Sequence, residues 1–154
     1  MIELLLSAFF IISAVIALVG VAGFSASASA IARKTIQANT LASSLMESTR
    51  SFRDGTVWGV DGLGVVVSGA PYHFEETTGD PSGLILLEGE ETVSGFQRKI
   101  TFSNVYRDAN DNIVIEGGIV DPETKKAIVT VSWREKTRNH QVSLETIFTN
   151  WVVQ

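Results

Sequence analysis

The sequence predicts an α+β protein: a long N-terminal helix, apolar in its first half, packed in its second half on an antiparallel β-sheet. Three observations predict it. Leu4 to Ala32 are 29 consecutive uncharged residues. No proline occurs before Pro71, and proline is the residue that most strongly breaks a helix. Beyond Arg53, short apolar or alternating segments are separated by turn dipeptides such as Asp54-Gly55, Asp61-Gly62 and Asp121-Pro122. The chain accordingly divides into an apolar half-helix over 1–24, an amphipathic half-helix over 25–53 and a β-rich globular head over 54–154.

The composition narrows the function classes. With 154 residues the chain holds one ordinary domain and an extra element. Its mean hydropathy of +0.21 is high, and residues 1–32 carry a single charged side chain, Glu3. A net charge of −5 argues against a nucleic-acid partner, which would require clustered Lys and Arg. The absence of cysteine excludes disulfides and cysteine-ligated zinc.

The first half of the helix follows from burial. Between Leu4 and Phe24 only Ser7, Ser13, Gly20 and Gly23 lack a clearly apolar side chain. About 20 such residues span a hydrocarbon core, and the backbone there must be helical because no water satisfies it. The run is too long for a signal-peptide core and has no basic flank before it.

The second half follows from periodicity. In "IARKTIQANTLASSLMESTRSFRD", Ile31, Ile36, Leu41, Leu45, Met46 and Phe52 fall near helical spacing, with Arg33, Lys34, Glu47, Arg50 and Arg53 between them. One helix from about residue 2 to about 53 would reach roughly 75 Å. A head of this size cannot cover it, so its first half requires lipid or other subunits.

The head reads as strands over Leu63–Val67, Tyr72–Glu76, Leu84–Glu88, Phe96–Arg107, Asn112–Glu116, Lys125–Arg134 and Gln141–Trp151. Val129, Val131 and Trp133 alternate with Ile128, Thr130 and Ser132, the pattern of a sheet with one buried face. "RDANDNIV" and "DPETKK" read as hairpin connections, and Gly79-Asp80-Pro81 as a further turn. Asp54 to Gln97 contains eight acids and neither Lys nor Arg. That segment reads as a solvated acidic face or, alternatively, as a surface on which a neighbouring subunit docks Arg33 or Lys34.

"IELLLSAFFIISAVIALVG" resembles the start of a mature type IV pilin or pseudopilin, in which F-T-L-I-E-L precedes an apolar helix. Ile2, Glu3 and Leu4 match its I-E-L, and "LASSLMESTRSFRD" resembles the second half of the pilin helix. "TKKAIVTVSW…VSLETIFTNW" resembles the C-terminal end of PilV-like pilins. The two residues that normally precede Met1 in the motif, a basic leader ending in glycine, and the usual helix-breaking proline are departures from the pattern. The resemblance implies the same α+β fold, a prepilin origin with processing and methylation, and a filament core formed by Leu4, Leu5, Phe9, Phe10, Ile12, Val15, Ile16 and Val19. It also implies that Glu3 pairs with the N-terminal amine of an adjacent subunit during assembly. Elementary electrostatics supplies two reasons for Glu3. An acid in the first turn complements the helix dipole, and a charge beside an apolar run requires a partner. Gly20, Gly23 and Ser25–Ser29 read as sites of close helix packing or of bending.

Other chemistry is sparse. His73 and His140 have no obvious carboxylate or nucleophile constellation. "GVDGLG" is followed by neither a helix pattern nor Lys-Ser/Thr, so it is not a nucleotide loop. Asp108, Asn110 and Asn112 have the one-three-five spacing of a calcium loop but lack its glycine and closing acid. They form a weak calcium candidate or a polar turn.

The expectation is therefore a non-enzymatic structural subunit of a type IV pilus-like filament without a cofactor. It would be held single-pass in the inner membrane before assembly and would afterwards stand in a surface pilus or periplasm-spanning filament. Its partners would be copies of itself, other pilins, the inner-membrane assembly machinery and lipid, and not nucleic acid. The alternative is a monomeric, membrane-anchored β domain that binds a ligand or partner at the cell surface.

Overall fold

The computed structural model describes residues 1–77 and 83–150. One helix, α1 (Ile2–Gly55), precedes a short 3-10 turn (Leu63–Val65) and seven strands. The strands are β1 (Pro71–Thr77), β2 (Gly83–Glu88), β3 (Glu91–Val93), β4 (Phe96–Arg107), β5 (Ile113–Val114), β6 (Ile119–Glu135) and β7 (Arg138–Thr149). The fold is α+β, and every strand pairing is antiparallel. The chain separates into two compact units, Met1–Gln37 and Ala38–Gln154.

Met1–Gln37 is helical throughout from Ile2 and buries no side chain fully. Nothing in it forms a core of its own, as expected of one apolar helix without a partner.

In Ala38–Gln154, the Ala38–Gly55 part of α1 lies on one face of a sheet ordered β2-β1-β4-β6-β7, with β3 and β5 flanking β4. Its buried stripe is Ala38, Ala42, Leu45, Met46, Thr49 and Phe52. The fully buried Ala38 and Ala42 let the helix backbone approach the sheet, while Leu45 and Phe52 join Ile100, Phe102, Val129 and Phe148 in the core. Phe52 packs its ring on Phe74 at 5.4 Å. The buried Thr49 hydroxyl donates to the Leu45 carbonyl at 2.9 Å, so no polar group is stranded there. This stripe differs from the expected one: Ile31 and Ile36 are exposed, and two alanines and a threonine take their place.

The alternation expected in β6 is observed, with Val129, Val131 and Trp133 buried on the helix side. Four sequence expectations are corrected. Leu63–Val67 is a 3-10 turn followed by extended chain, not a strand. It wraps Trp58, and a Cβ on Gly64 would stand 2.5 Å from the Trp58 carbonyl oxygen. Asn112–Glu116 shortens to the two residues of β5. "DPETKK" is no hairpin connection but lies within β6: register passes from Asn104↔Lys125 to Val105↔Asp121, leaving Pro122, Glu123 and Thr124 as a bulge. Proline is tolerated in a strand at such a bulge. Finally, β3 was not expected; it returns into β4 through Ser94 and Gly95, both at positive φ, the two-residue hairpin form. The expected turn at Gly79-Asp80-Pro81 and the end of the last strand at Trp151 lie outside the described residues.

Candidate assembly surface

Glu3 stands in the first turn of α1, as dipole complementarity favours. The Leu5 amide donates to the Met1 carbonyl at 3.3 Å, so the helical ladder begins at the chain's first carbonyl. The Ser7 hydroxyl donates to the Glu3 carbonyl at 2.9 Å, which lets a polar side chain sit in an apolar run with its hydrogen bond made locally. The Glu3 carboxylate makes no ion pair among the described residues.

Leu4, Leu5, Phe9, Phe10, Ile12, Val15, Ile16 and Val19 are each between 53% and 74% exposed. The Phe9 and Phe10 rings meet edge to face at 5.9 Å. Exposed side chains of this size around a whole helix form an apolar surface far beyond what a soluble monomer leaves in water. The helix is long and apolar enough to cross a membrane by length and composition. A methyl group added at Gly20 or Gly23 would meet nothing within 4 Å, so contacts within the chain do not require glycine at either position.

The acidic segment of the head is partly neutralised by its own fold. Glu90 accepts from Lys99 at 2.5 Å and Glu91 from Arg98 at 2.6 Å, because β3 folds back antiparallel on β4. Asp54 accepts from Arg53 at 2.6 Å, and Asp61 accepts from the Val57 amide at 2.8 Å. Glu76 and Glu88 make no ion pair among the described residues.

His73 and His140 lie in β1 and β7. The His140 ring stacks on Trp133 at 5.3 Å, and His73 Nε2 lies 3.7 Å from Glu75. Among the described residues no group of three His, Cys, Asp or Glu side chains gathers as a metal site. The Asp108 carboxylate is occupied by its own turn: Oδ1 accepts from the amides of Asn110 and Asn112 at 2.8 and 2.9 Å, and Oδ2 from Asn112 Nδ2 at 3.1 Å. The Asn112 side chain, followed by these amides, holds its carboxyl below the usual carboxylate range.

One polar cluster was not singled out by the sequence. Lys125 is buried on the helix side of β6; its Nζ donates to Asn104 Oδ1 at 2.8 Å and lies 3.5 Å from Ser68 Oγ. Burial lowers its pKa from the ordinary 10.5. Alternation predicts an inward side chain at 125, but only the bulge and the loop carrying Ser68 reveal what meets it.

Compared with protein-family models, with curated proteins and with solved structures, the chain matches none. What fold and surface define is therefore a class: an α+β protein with an antiparallel sheet, a packed half-helix and an unburied apolar N-terminal helix compatible with a membrane anchor.

Proposed function

We propose that this chain is a structural subunit of a type IV pilus-like filament, a pilin or pseudopilin. Its apolar half-helix rests in the inner membrane before assembly and packs against the same segment of other copies afterwards. The observation that carries the reading is the helix from Leu4 to Phe24, exposed all round, with Glu3 as its lone charge. Lipid and neighbouring apolar helices both satisfy that surface, so the same residues serve both states.

Glu3 supplies register. A carboxylate entering an apolar environment is tolerated when paired, and the amine at the head of a neighbouring helix is a cation of matching position. Small residues at Gly20, Gly23, Ser25, Ser27 and Ser29 allow helices to approach closely. The sheet faces outward, and the chain acts without enzymatic chemistry or cofactor.

Glu3→Ala tests the reading. It is expected to leave membrane insertion intact and to reduce incorporation into filaments at least tenfold. Normal filament incorporation by the variant would overturn the role of Glu3. An unaltered chain that stays monomeric in the membrane beside its assembly machinery would favour the anchored β-domain alternative.

A further inference from the structure

Ser44, Glu47, Ser48 and Ser51 recur at helical spacing on α1 and, with Glu76 and Thr77 of β1, line a groove of about 640 Å³. Gly83 and Leu84 complete the lining; its polar side chains are hydroxyls and two carboxylates, and among the described residues it includes no basic side chain. Glu47 shares its charge with Arg50 at 3.0 Å, but Glu76 has no base within 4.0 Å among the described residues. Arg33 and Lys34 are the reverse case. They are the only basic side chains before Arg50, and among the described residues neither has a carboxylate within 4.0 Å. Arg33 Nε donates to the Ser29 carbonyl of its own helix, at 3.4 Å.

We propose that this groove receives Arg33 and Lys34 of a second copy of the chain. The inference rests on the filament reading and gives its subunit contact a place. Charge complementarity selects the occupant: two adjacent cations without acids meet two carboxylates of which one lacks a base. Shape agrees with charge, because three serines on one helical stripe leave room for another helix to lie close. The apolar surface that begins at the N-terminus brings helices side by side, and the polar groove then fixes their offset. A guanidinium or ammonium entering from a neighbour would displace water from Glu76 and from Glu47, and wrong registers would leave both signs unpaired.

The absence of cysteine makes the test clean. Full-length chains carrying Lys34→Cys and chains carrying Glu76→Cys are co-assembled and treated with a short bismaleimide. A Lys34→Cys chain mixed with a Gln97→Cys chain serves as control, since Gln97 lies in β4 and does not line the groove. The expected result is a cross-linked heterodimer from the first mixture at least tenfold more abundant than from the control. Independently, Glu76→Lys should lower incorporation at least fivefold, and chains carrying Lys34→Glu should restore it when mixed in. Filaments that form without the cross-link and tolerate Glu76→Lys would overturn the groove contact and leave the filament reading standing. An unaltered chain that forms no oligomer would overturn both.

Discussion

Lys125 and Asn104 stand opposite each other on β6 and β4, and the lysine Nζ donates to Asn104 Oδ1 at 2.8 Å. Among the described residues no carboxylate lies within 4.0 Å of that amine. Among the described residues a buried cation is thus held by neutral oxygens alone, and burial lowers its pKa.

The consequence is a stability that depends on pH. Because the folded value lies below the unfolded one, the unfolded chain binds more protons between them, and stability rises with pH across that interval up to about the ordinary 10.5. Lys125→Met should remove this alkaline rise and leave stability at pH 7 unchanged or higher, since a buried charge is replaced by a chain of similar length. Denaturant melts at pH 7 and pH 10, followed by tryptophan fluorescence, measure it. A loss of more than about 2 kcal/mol at pH 7 would instead mean that the amine's hydrogen bonds outweigh its desolvation.

Gly64 gives a second test, in the head's loop. A Cβ there would lie 2.5 Å from the Trp58 carbonyl oxygen and 2.6 Å from Trp58 Cδ1, so backbone or a packed ring must move. Gly64→Ala is expected to destabilise the head by about 1–3 kcal/mol. Gly20→Ala meets nothing within 4 Å, and head unfolding should be unchanged in that variant. Equal melting of the Gly64→Ala variant and the unaltered chain would show that the loop repacks freely around Trp58.

Calcium should not alter stability. The Asp108 oxygens already accept from Asn110 and Asn112, and a cation would have to displace those donors. Melting curves with calcium and with chelator are expected to coincide; a rise in Tm with calcium would restore the loop as a site. The turn has its own pH signature. With the Asp108 carboxyl held below the ordinary 3.8, its contribution is present above that value and lost as pH falls through the lowered one.

These cases also show which parts of the structure were legible beforehand. The helix was, because 29 uncharged residues and a proline-free stretch to Pro71 leave the backbone few alternatives. Strand β4 was, because Ile100 and Phe102 alternate with Lys99, Thr101 and Ser103 and face one core together with Phe96. Leu63–Val67 was not: an apolar run is equally consistent with a turn that buries Leu63 beside Trp58. Asp121-Pro122 misled because turn chemistry and bulge chemistry use the same residues. Of the assembly surface, the lone acid and the apolar run were plain in the sequence. The pairing of Glu90 and Glu91 with Lys99 and Arg98 was not, because a three-residue strand carries too little alternation to reveal its register.

The most direct measurement is electron microscopy of sheared surface or periplasmic material from cells carrying the full-length chain, with gold-labelled antibody against the head. Assembly through the N-terminal helix predicts label regularly along filaments, and its loss from them in Glu3→Ala while that variant remains in the membrane fraction. Label confined to the membrane, with filaments bare or absent in cells whose assembly machinery is intact, would contradict it.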